Sequence, residues 1–363
     1  MLSVDVCRGV AIVGMILVNA TAYFHYAAPA PVPFFLLHAH WSGFLVADFV
    51  FPGFIFIVGV SIALSLGGQK EVGGIPSTVY RRISLRALKL ILIGVLLSNL
   101  YAWYAEIDLS KMRYFGVLQR IGVVYGVTAI LFLRFSPRTL AAIAGAILVC
   151  YSILLYAPYP DGAADLGVPG ANIVSWVDRL MLGEHAFYKG AAGYDPEGLL
   201  STFPAISQCL FGALLGVFLV KAERSAGVAV RLGAAGACLT AAGLTTGLAH
   251  PIIKDLWTAS YVLLSTGVIV LILACAFFVI DVLKRYGPVS HFFRVFGVNA
   301  IAAYVLHFVL SFLIAAAPFV ALYGQAAKLL PEQAAALAPV TAFLALNWFA
   351  VLWLWRRGIL IRV

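Results

Sequence analysis

Charged residues are scarce in this sequence: Asp, Glu, Lys and Arg make up 11% of the 363 residues, whereas 63% are hydrophobic. Ordinary soluble domains contain about 25% charged residues, so this composition excludes a soluble globular protein. Apolar runs of about 20 residues recur along the chain, and each is long enough to cross a hydrocarbon core about 30 Å thick as a helix. The sequence therefore predicts an all-α, polytopic integral membrane protein that resides in a lipid bilayer.

Metal-binding and repeat patterns are missing as well. The five cysteines contain no Cys-x-x-Cys pair, and no histidine stands at zinc-ligand spacing, so we expect no metal site. No 20 to 50 residue period repeats and the two halves of the chain are dissimilar, which disfavours the inverted-repeat transporter folds. The formal net charge is +9, but in a membrane protein Lys and Arg mainly set topology, and we expect no nucleic-acid partner.

Ten membrane spans are predicted, and together they form a single domain over residues 1–363. The first lacks a signal-peptide cleavage site and is expected to be retained. Lys and Arg concentrate after the even-numbered spans and in the tail, at Arg356, Arg357 and Arg362, so the positive-inside rule places both termini in the cytoplasm. The predicted spans are about 6–26, 45–66, 84–103, 114–134, 138–157, 199–220, 228–249, 257–282, 296–317 and 336–356.

The region around the second span contains the strongest candidates for chemistry. His38 and His40 precede this span, and Asp48 is predicted to lie inside it. An ionised Asp within a span costs roughly 2.5 to 3.5 kcal/mol, so Asp48 should face the protein interior and have a partner. A histidine oriented by a carboxylate is a common general base. The alternative is an interfacial belt, in which both histidines and Trp41 simply contact water and lipid.

The predicted topology places His38 on the outer face, together with the longest loop, residues 158–198. Loops of this length in compact proteins are often functional, and this one could form a rim or lid over an outer site. It ends with Asp195 and Glu197, and the next outer connection leads to Trp257 and Tyr261. We expect these four residues, with His40 and Trp41, to bind substrate.

Several polar residues within the spans could serve a donor site. Arg120 needs either an anionic ligand or a counter-charge such as Asp48 or Glu197. Tyr304 and His307 share a helical face, with Asn299 nearby. Arg81, Arg82 and Arg86 form a cytoplasmic cluster that suits a phosphate-rich ligand, although topology and anionic lipid also explain it. Asn19 could hold a substrate or orient the histidine, or could instead be a structural amide that bonds a neighbouring helix.

These stretches together resemble the heparan-alpha-glucosaminide N-acetyltransferase family. The resemblance implies that His38, in the context His-Ala-x-Trp, is the catalytic histidine, that Asn19 is the essential amide and that Asp48 is the intramembrane carboxylate. It implies a multi-pass protein of the bacterial inner membrane, and it suggests a homodimer. The matching residues are 4–9, 15–19, 38–43, 46–52, 116–122, 178–179, 194–198, 254–257, 260–261 and 299–307.

The activity implied by the resemblance is transfer of an acetyl group from cytosolic acetyl-CoA to the amine of a glucosamine-type sugar on the outer, periplasmic side. In this interpretation Arg81, Arg82, Arg86, Arg120, Asn299, Tyr304 and His307 hold the donor, and His38 either deprotonates the amine or carries the acetyl group. Two alternatives stay open. One is a secondary transporter of sugars or amino sugars, and the other is an O-acetyltransferase of envelope glycans.

Overall fold

The computed structural model describes residues 1–28, 30–71, 74–105, 108–189 and 193–361. No β-strand occurs in these ranges, so the predicted all-α class is confirmed. One helix, which ends at Ala276, continues directly as a π-helix at Phe277–Val282. In chain order the helices are α1 (Leu2–Ala27), α2 (Val50–Glu71), α3 (Ser77–Ala105), α4 (Val117–Arg134), α5 (Pro137–Leu155), α6 (Ile173–Leu182), α7 (Thr202–Lys221), α8 (Ala226–Gly247), α9 (Ala259–Ala276), α10 (Pro288–Val298), α11 (Ala300–Val309), α12 (Ala317–Ala326), α13 (Glu332–Ala335) and α14 (Leu337–Arg356).

Nine helices among the described residues are long and apolar enough to cross a membrane, and they correspond to nine of the ten predicted spans. The predicted span at 296–317 is not one continuous helix. There, α10 and α11 meet at an 80° bend, and the count is ten if this pair is one broken span. The break is at Asn299, whose backbone is not helical. An Asn side chain that bonds to backbone groups elsewhere competes with helix continuation.

Both ends of the described chain lie at the same end of the helical bundle. Met1 and Ile361 line one cavity, which is also lined by Arg86 near the start of α3. An even number of crossings produces this arrangement, in agreement with the predicted topology. Arg362, which the charge argument also used, lies outside the described residues.

Glycines allow the closest helix contacts. A Cβ atom built on Gly59 of α2 would lie 1.9 Å from the carbonyl oxygen of Cys209, and one on Gly212 of α7 would lie 2.0 Å from that of Phe56. Gly212 and Gly216 form a G-x-x-x-G pattern, which lets helix backbones approach closely in a membrane. Helices α1 and α10 also approach closely through glycines, because Gly9 packs against the backbone of Phe293 and Gly297 packs against the backbone of Asp5.

Loops at the far end of the bundle hold the start of α2. The backbone N–H of Gly43 donates to the carbonyl of Ile252 at 2.9 Å, which ties the loop before α2 to the loop before α9. Asp48 lies in a 3-10 turn at Val46–Phe49 directly ahead of α2, within the candidate membrane span Val46–Glu71, so its predicted position inside the second span is confirmed. It ends up there because its carboxylate accepts the N–H of Leu45 and caps the turn.

Candidate active site

His38 and Asp48 form a hydrogen-bonded pair, with His38 Nδ1 2.8 Å from Asp48 Oδ1. Asp48 is fully buried, whereas the His38 side chain is 38% exposed. The Asp48 carboxylate accepts a hydrogen bond from the Nδ1–H of His38, so the neutral imidazole has its free lone pair on Nε2. The predicted partnership between His38 and Asp48 is therefore present, and it leaves a basic nitrogen available to a substrate.

Four further groups fix Asp48 in place. Its Oδ2 accepts the backbone N–H groups of Leu45 at 2.9 Å and Ala39 at 3.2 Å. The hydroxyl of Tyr261 donates to the carbonyl oxygen of Asp48 at 2.7 Å. Lys254 Nζ lies 4.0 Å from Asp48 Oδ1. Because neither Asp48 nor Tyr261 is exposed, this arrangement orients the imidazole rigidly.

Lys254 tunes the histidine and was missing from the predicted site residues. Burial of part of the ring and the positive charge of Lys254 lower the pKa of His38 below its ordinary value, against the opposing effect of Asp48. The imidazole is thus neutral, and able to accept a proton, at pH values where an ordinary histidine is partly charged. The signal in the sequence was the charged pair 254–255 directly before an apolar span.

The end of the long outer loop forms a second ionic cluster. Arg113 lies 2.7 Å from Glu197 and 3.3 Å from Asp195. Burial acts to raise the pKa of Glu197, but the positive charges of Arg113 and Arg120 outweigh it, and the pKa lies below its usual value. Lys254 acts on Glu197 in the same direction, which connects this cluster to the His38 site. Arg113, three residues before the matching stretch 116–122, was not predicted.

Arg120 belongs with the outer cluster and not with the basic residues of α3. It is buried in the first turn of α4, where it donates to Gly198 O and Ser201 Oγ and its guanidinium lies 4.9 Å from the Trp257 ring. The other end of α4, at Arg134, packs on Tyr80 beside Arg81. That point lies roughly 21 Å farther along the helix at 1.5 Å per residue, so one phosphate group cannot contact both arginines.

The predicted polar residues inside the bundle separate into two groups. Asn19 does not bond His38, and its Nδ2 lies 3.0 Å from His307 Nε2. Tyr304 packs edge-on against His307 at 5.0 Å between ring centroids. Asn299 bonds to neither of these, because its amide is paired with backbone groups of Ile359 and Ile361. The expected grouping of Asn299 with Tyr304 and His307 is therefore corrected.

Aromatic residues predicted to bind substrate are mostly occupied with internal contacts. Trp41 donates its indole N–H to Leu166 O at 2.7 Å and packs on Tyr194. Trp257 donates to Gln208 Oε1 at 3.0 Å and is 1% exposed. The Trp41 contacts hold the His38 loop and the outer loop together, and the Trp257 bond joins the loop before α9 to α7. His40 is exposed in the same loop as His38.

A cavity of about 490 Å³ opens at the opposite end of the bundle, where the termini lie. On α2 its lining extends from Ser65 to Phe54, roughly 16 Å at 1.5 Å per residue, and Asp48 lies roughly 9 Å beyond Phe54. Arg86 lines it over the Tyr125 ring at 4.8 Å. Arg81 and Arg82 are exposed on the first turns of α3. One helix thus joins a basic cavity to the His38 site.

Arg8 is a further cavity residue that the prediction omitted. Its guanidinium donates to Asp5 at 3.1 Å, to Gly297 O at 3.1 Å and to Ser61 Oγ at 2.7 Å. These bonds join α1, α2 and α10 around the cavity. Within the described ranges, no three His, Cys, Asp or Glu side chains converge as metal ligands would.

Comparison with known proteins identifies one family. The family model described as heparan-alpha-glucosaminide N-acetyltransferase, catalytic, matches residues 1–226. The human heparan-alpha-glucosaminide N-acetyltransferase is 29% identical over 358 residues, which cover 84% of this chain and 52% of the human protein. The mouse protein is 31% identical over 362 residues, which cover 85% and 53% respectively. This chain spans about half the length of the relatives it matches.

Proposed function

Because the chain belongs to the heparan-alpha-glucosaminide N-acetyltransferase family, we propose that it is a transmembrane acetyltransferase. It transfers the acetyl group of acetyl-CoA, bound in the basic cavity, to the amine of a glucosamine-type sugar at His38. The observation that carries the proposal is that α2 has the cavity along its inner half and the His38–Asp48 pair at its outer end. We further propose that the protein lies in a bacterial inner membrane as a homodimer.

The lining of the cavity supports donor binding there. Arg86 offers a positive charge to phosphate groups, Arg8 adds a second that is shared with Asp5, and apolar residues such as Phe54 and Ile121 suit a pantetheine arm. The bound donor supplies a thioester whose carbonyl carbon is open to attack by a nucleophile. Of the predicted phosphate ligands, Arg86 is best placed, and Arg81 and Arg82 would serve only the outermost part.

His38 supplies the proton transfer. Only the free amine attacks a thioester, and a glucosamine amine is partly protonated at neutral pH, so Nε2 of His38 accepts a proton from the ammonium group. The amine nitrogen then attacks the thioester carbon, so the C–N bond forms and the C–S bond breaks. The imidazolium returns its proton to the sulfur of coenzyme A, which leaves as its thiol, and the second amine proton is released to water. In the alternative sequence, Nε2 attacks first and coenzyme A leaves as a thiolate that takes the proton of the sugar ammonium group; the free amine then takes the acetyl group from Nε2 and releases its second proton to water.

Asn19 has a supporting role in this proposal, and so has Glu197, which lies beside Asp195 in the outer cluster. One N–H of the Asn19 amide faces His307, and the second is able to donate to the oxyanion of the tetrahedral intermediate. Glu197 is 14% exposed on its side chain, and its negative charge favours binding of an amino sugar as the ammonium ion.

Acetyl transfer in proteoliposomes tests the proposal. Labelled acetyl-CoA on one side should acetylate glucosamine on the other, and His38→Ala should lower kcat by about a hundredfold to ten-thousandfold while coenzyme A still binds. His40→Ala is the matched comparison, because His40 shares the loop without contacting Asp48; as a predicted substrate-binding residue it should change the KM for the sugar more than kcat. Transfer to N-acetylglucosamine would favour an O-acetyltransferase, and sugar accumulation without acetyl-CoA would favour a transporter.

A further inference from the structure

The last described residues, 357–361, form a short strap that folds back from the end of α14 to the cavity. The fold-back is a helix-ending motif in which Gly358 N–H donates to Trp355 O and Ile359 N–H donates to Leu354 O, both at 3.0 Å. Gly358 has φ +67°, in the left-handed region that glycine adopts without strain. The motif turns the strap so that Leu360 and Ile361 line the cavity.

A single buried side chain holds the strap in this position. Asn299 donates from Nδ2 to the carbonyl of Ile359 at 3.1 Å and accepts the N–H of Ile361 on Oδ1 at 3.0 Å. The amide thus pairs with the strap as a neighbouring strand would. Asn299 is completely buried at the bend between α10 and α11, whereas Ile359, Leu360 and Ile361 are each just over 40% exposed. The strap is therefore held from one side only.

The break in the helix and the strap share one wall of the cavity. Gly297, Val298 and Ala300, which flank Asn299, also line it, and Arg8 bonds the carbonyl of Gly297. A continuous helix through residue 299 would use the carbonyl of Gly297 for its own hydrogen bonds, whereas in the bent chain this carbonyl accepts from Arg8. The bend thus places Asn299 and its neighbours in the same cavity wall as the strap.

We propose that Asn299 is a positioning residue that latches residues 357–361 as a releasable wall of the donor cavity, and so controls how tightly and how fast the acyl-CoA donor is bound. The inference rests on the proposed function of the cavity. Release of two hydrogen bonds opens the wall toward the arriving donor, and their formation closes it over the pantetheine arm, while the His38–Asp48 pair stays unchanged.

A nitroxide spin label at Leu360→Cys measures the latch directly. The exposed cysteines Cys150, Cys238 and Cys275 are first replaced by alanine. In Asn299→Ala the ratio of mobile to immobile label should rise on the order of tenfold, because two hydrogen bonds are lost. Ile361→Pro removes one bond from the strap itself and should act in the same direction. Asn347→Ala, which removes a buried amide that bonds only its own helix α14, should leave the spectrum unchanged.

Coenzyme A binding and kinetics, measured on the same 363-residue chain without the label, test the proposed role of the latch in donor binding. Asn299→Ala and Ile361→Pro should each raise the KM for acetyl-CoA severalfold with little change in kcat, and the double variant should be no worse than Asn299→Ala, since both act through one latch. An unchanged spectrum would overturn the latch. A loosened strap with unchanged KM would overturn its role in donor binding. Failure of the wild-type chain to bind coenzyme A would instead overturn the proposed function, while the spectra still report on the strap.

Discussion

At the scale of single residues, the pairing of His38 with Asp48 explains how a membrane protein can place a base at its surface. Asp48 alone would be a buried charge at a large cost, but two backbone N–H groups and the imidazole satisfy its oxygens. Burial makes an ionised Asp48 carboxylate energetically costly, but it also holds that carboxylate in one position. The His38 imidazole, which is hydrogen-bonded to it, is therefore held in one orientation. The nitrogen that remains free, Nε2, belongs to a half-exposed ring.

In the proposed mechanism, Lys254 sets the pH at which acetyl transfer begins. It lowers the pKa of His38, and the mechanism uses the neutral imidazole as the base, so we expect activity to rise with pH through a pKa below the ordinary value. Lys254→Gln removes the charge, so we expect the acid limb of kcat/KM to move to higher pH. Lys111→Gln is the control, since Lys111 is exposed and pairs with Asp108. An acid limb that stays fixed in Lys254→Gln would exclude this role.

At the scale of elements, α2 depends on close contact with α7. We expect Gly59→Ala to destabilise the protein by about 1 to 3 kcal/mol, because the new methyl group would overlap the backbone of Cys209. Gly67→Ala, on the same helix with no atom within 4 Å of the new Cβ, should be neutral or slightly stabilising. Thermal unfolding in detergent compares the two, and equal melting temperatures would contradict the packing argument.

The outer loop contains a carboxyl group that resists ionisation. Burial raises the pKa of Asp178 to about 7, although the N–H of Leu199 donates to it. A raised pKa means that its stabilising contribution is complete below pH 3.8 and is lost as pH rises through about 7. Asp178→Asn should therefore stabilise the protein at pH 8 more than at pH 5, as thermal unfolding at both values would reveal. A gain that did not depend on pH would refute this account.

At the scale of the whole molecule, the fold places the cavity and the outer cluster, which we propose bind the donor and the acceptor, at opposite ends of the bundle. Arg86 contacts the cavity, and Glu197 lies in the outer cluster. We expect Arg86→Gln to raise the KM for acetyl-CoA and Glu197→Gln to raise the KM for the sugar, each severalfold. The free-energy effects of substitutions at distant sites are additive. The fold-change in kcat/KM of the double variant should therefore be the product of the two single fold-changes. Strong non-additivity would mean that the two regions form a single site.

The sequence by itself determined the class of this protein, nine of its spans and the pairing of His38 with Asp48. Apolar length is a local property, and a bilayer imposes the same requirement on every span, so composition is sufficient to predict them. The proximity of His38 to Asp48 also follows from local chain geometry, because ten residues of loop and turn separate them. The family resemblance, too, could be recognised from short stretches alone.

Only the tertiary structure decided which distant groups meet. Lys254 reaches Asp48, Asn19 pairs with His307, and Arg120 joins the outer loop, across separations of 206, 288 and 78 residues. The helix break at Asn299 was equally hidden, because an apolar window cannot detect an amide that prefers backbone partners 60 residues away. Helix packing in a membrane is set by small residues and shape, and these contacts have no periodic signature in the chain.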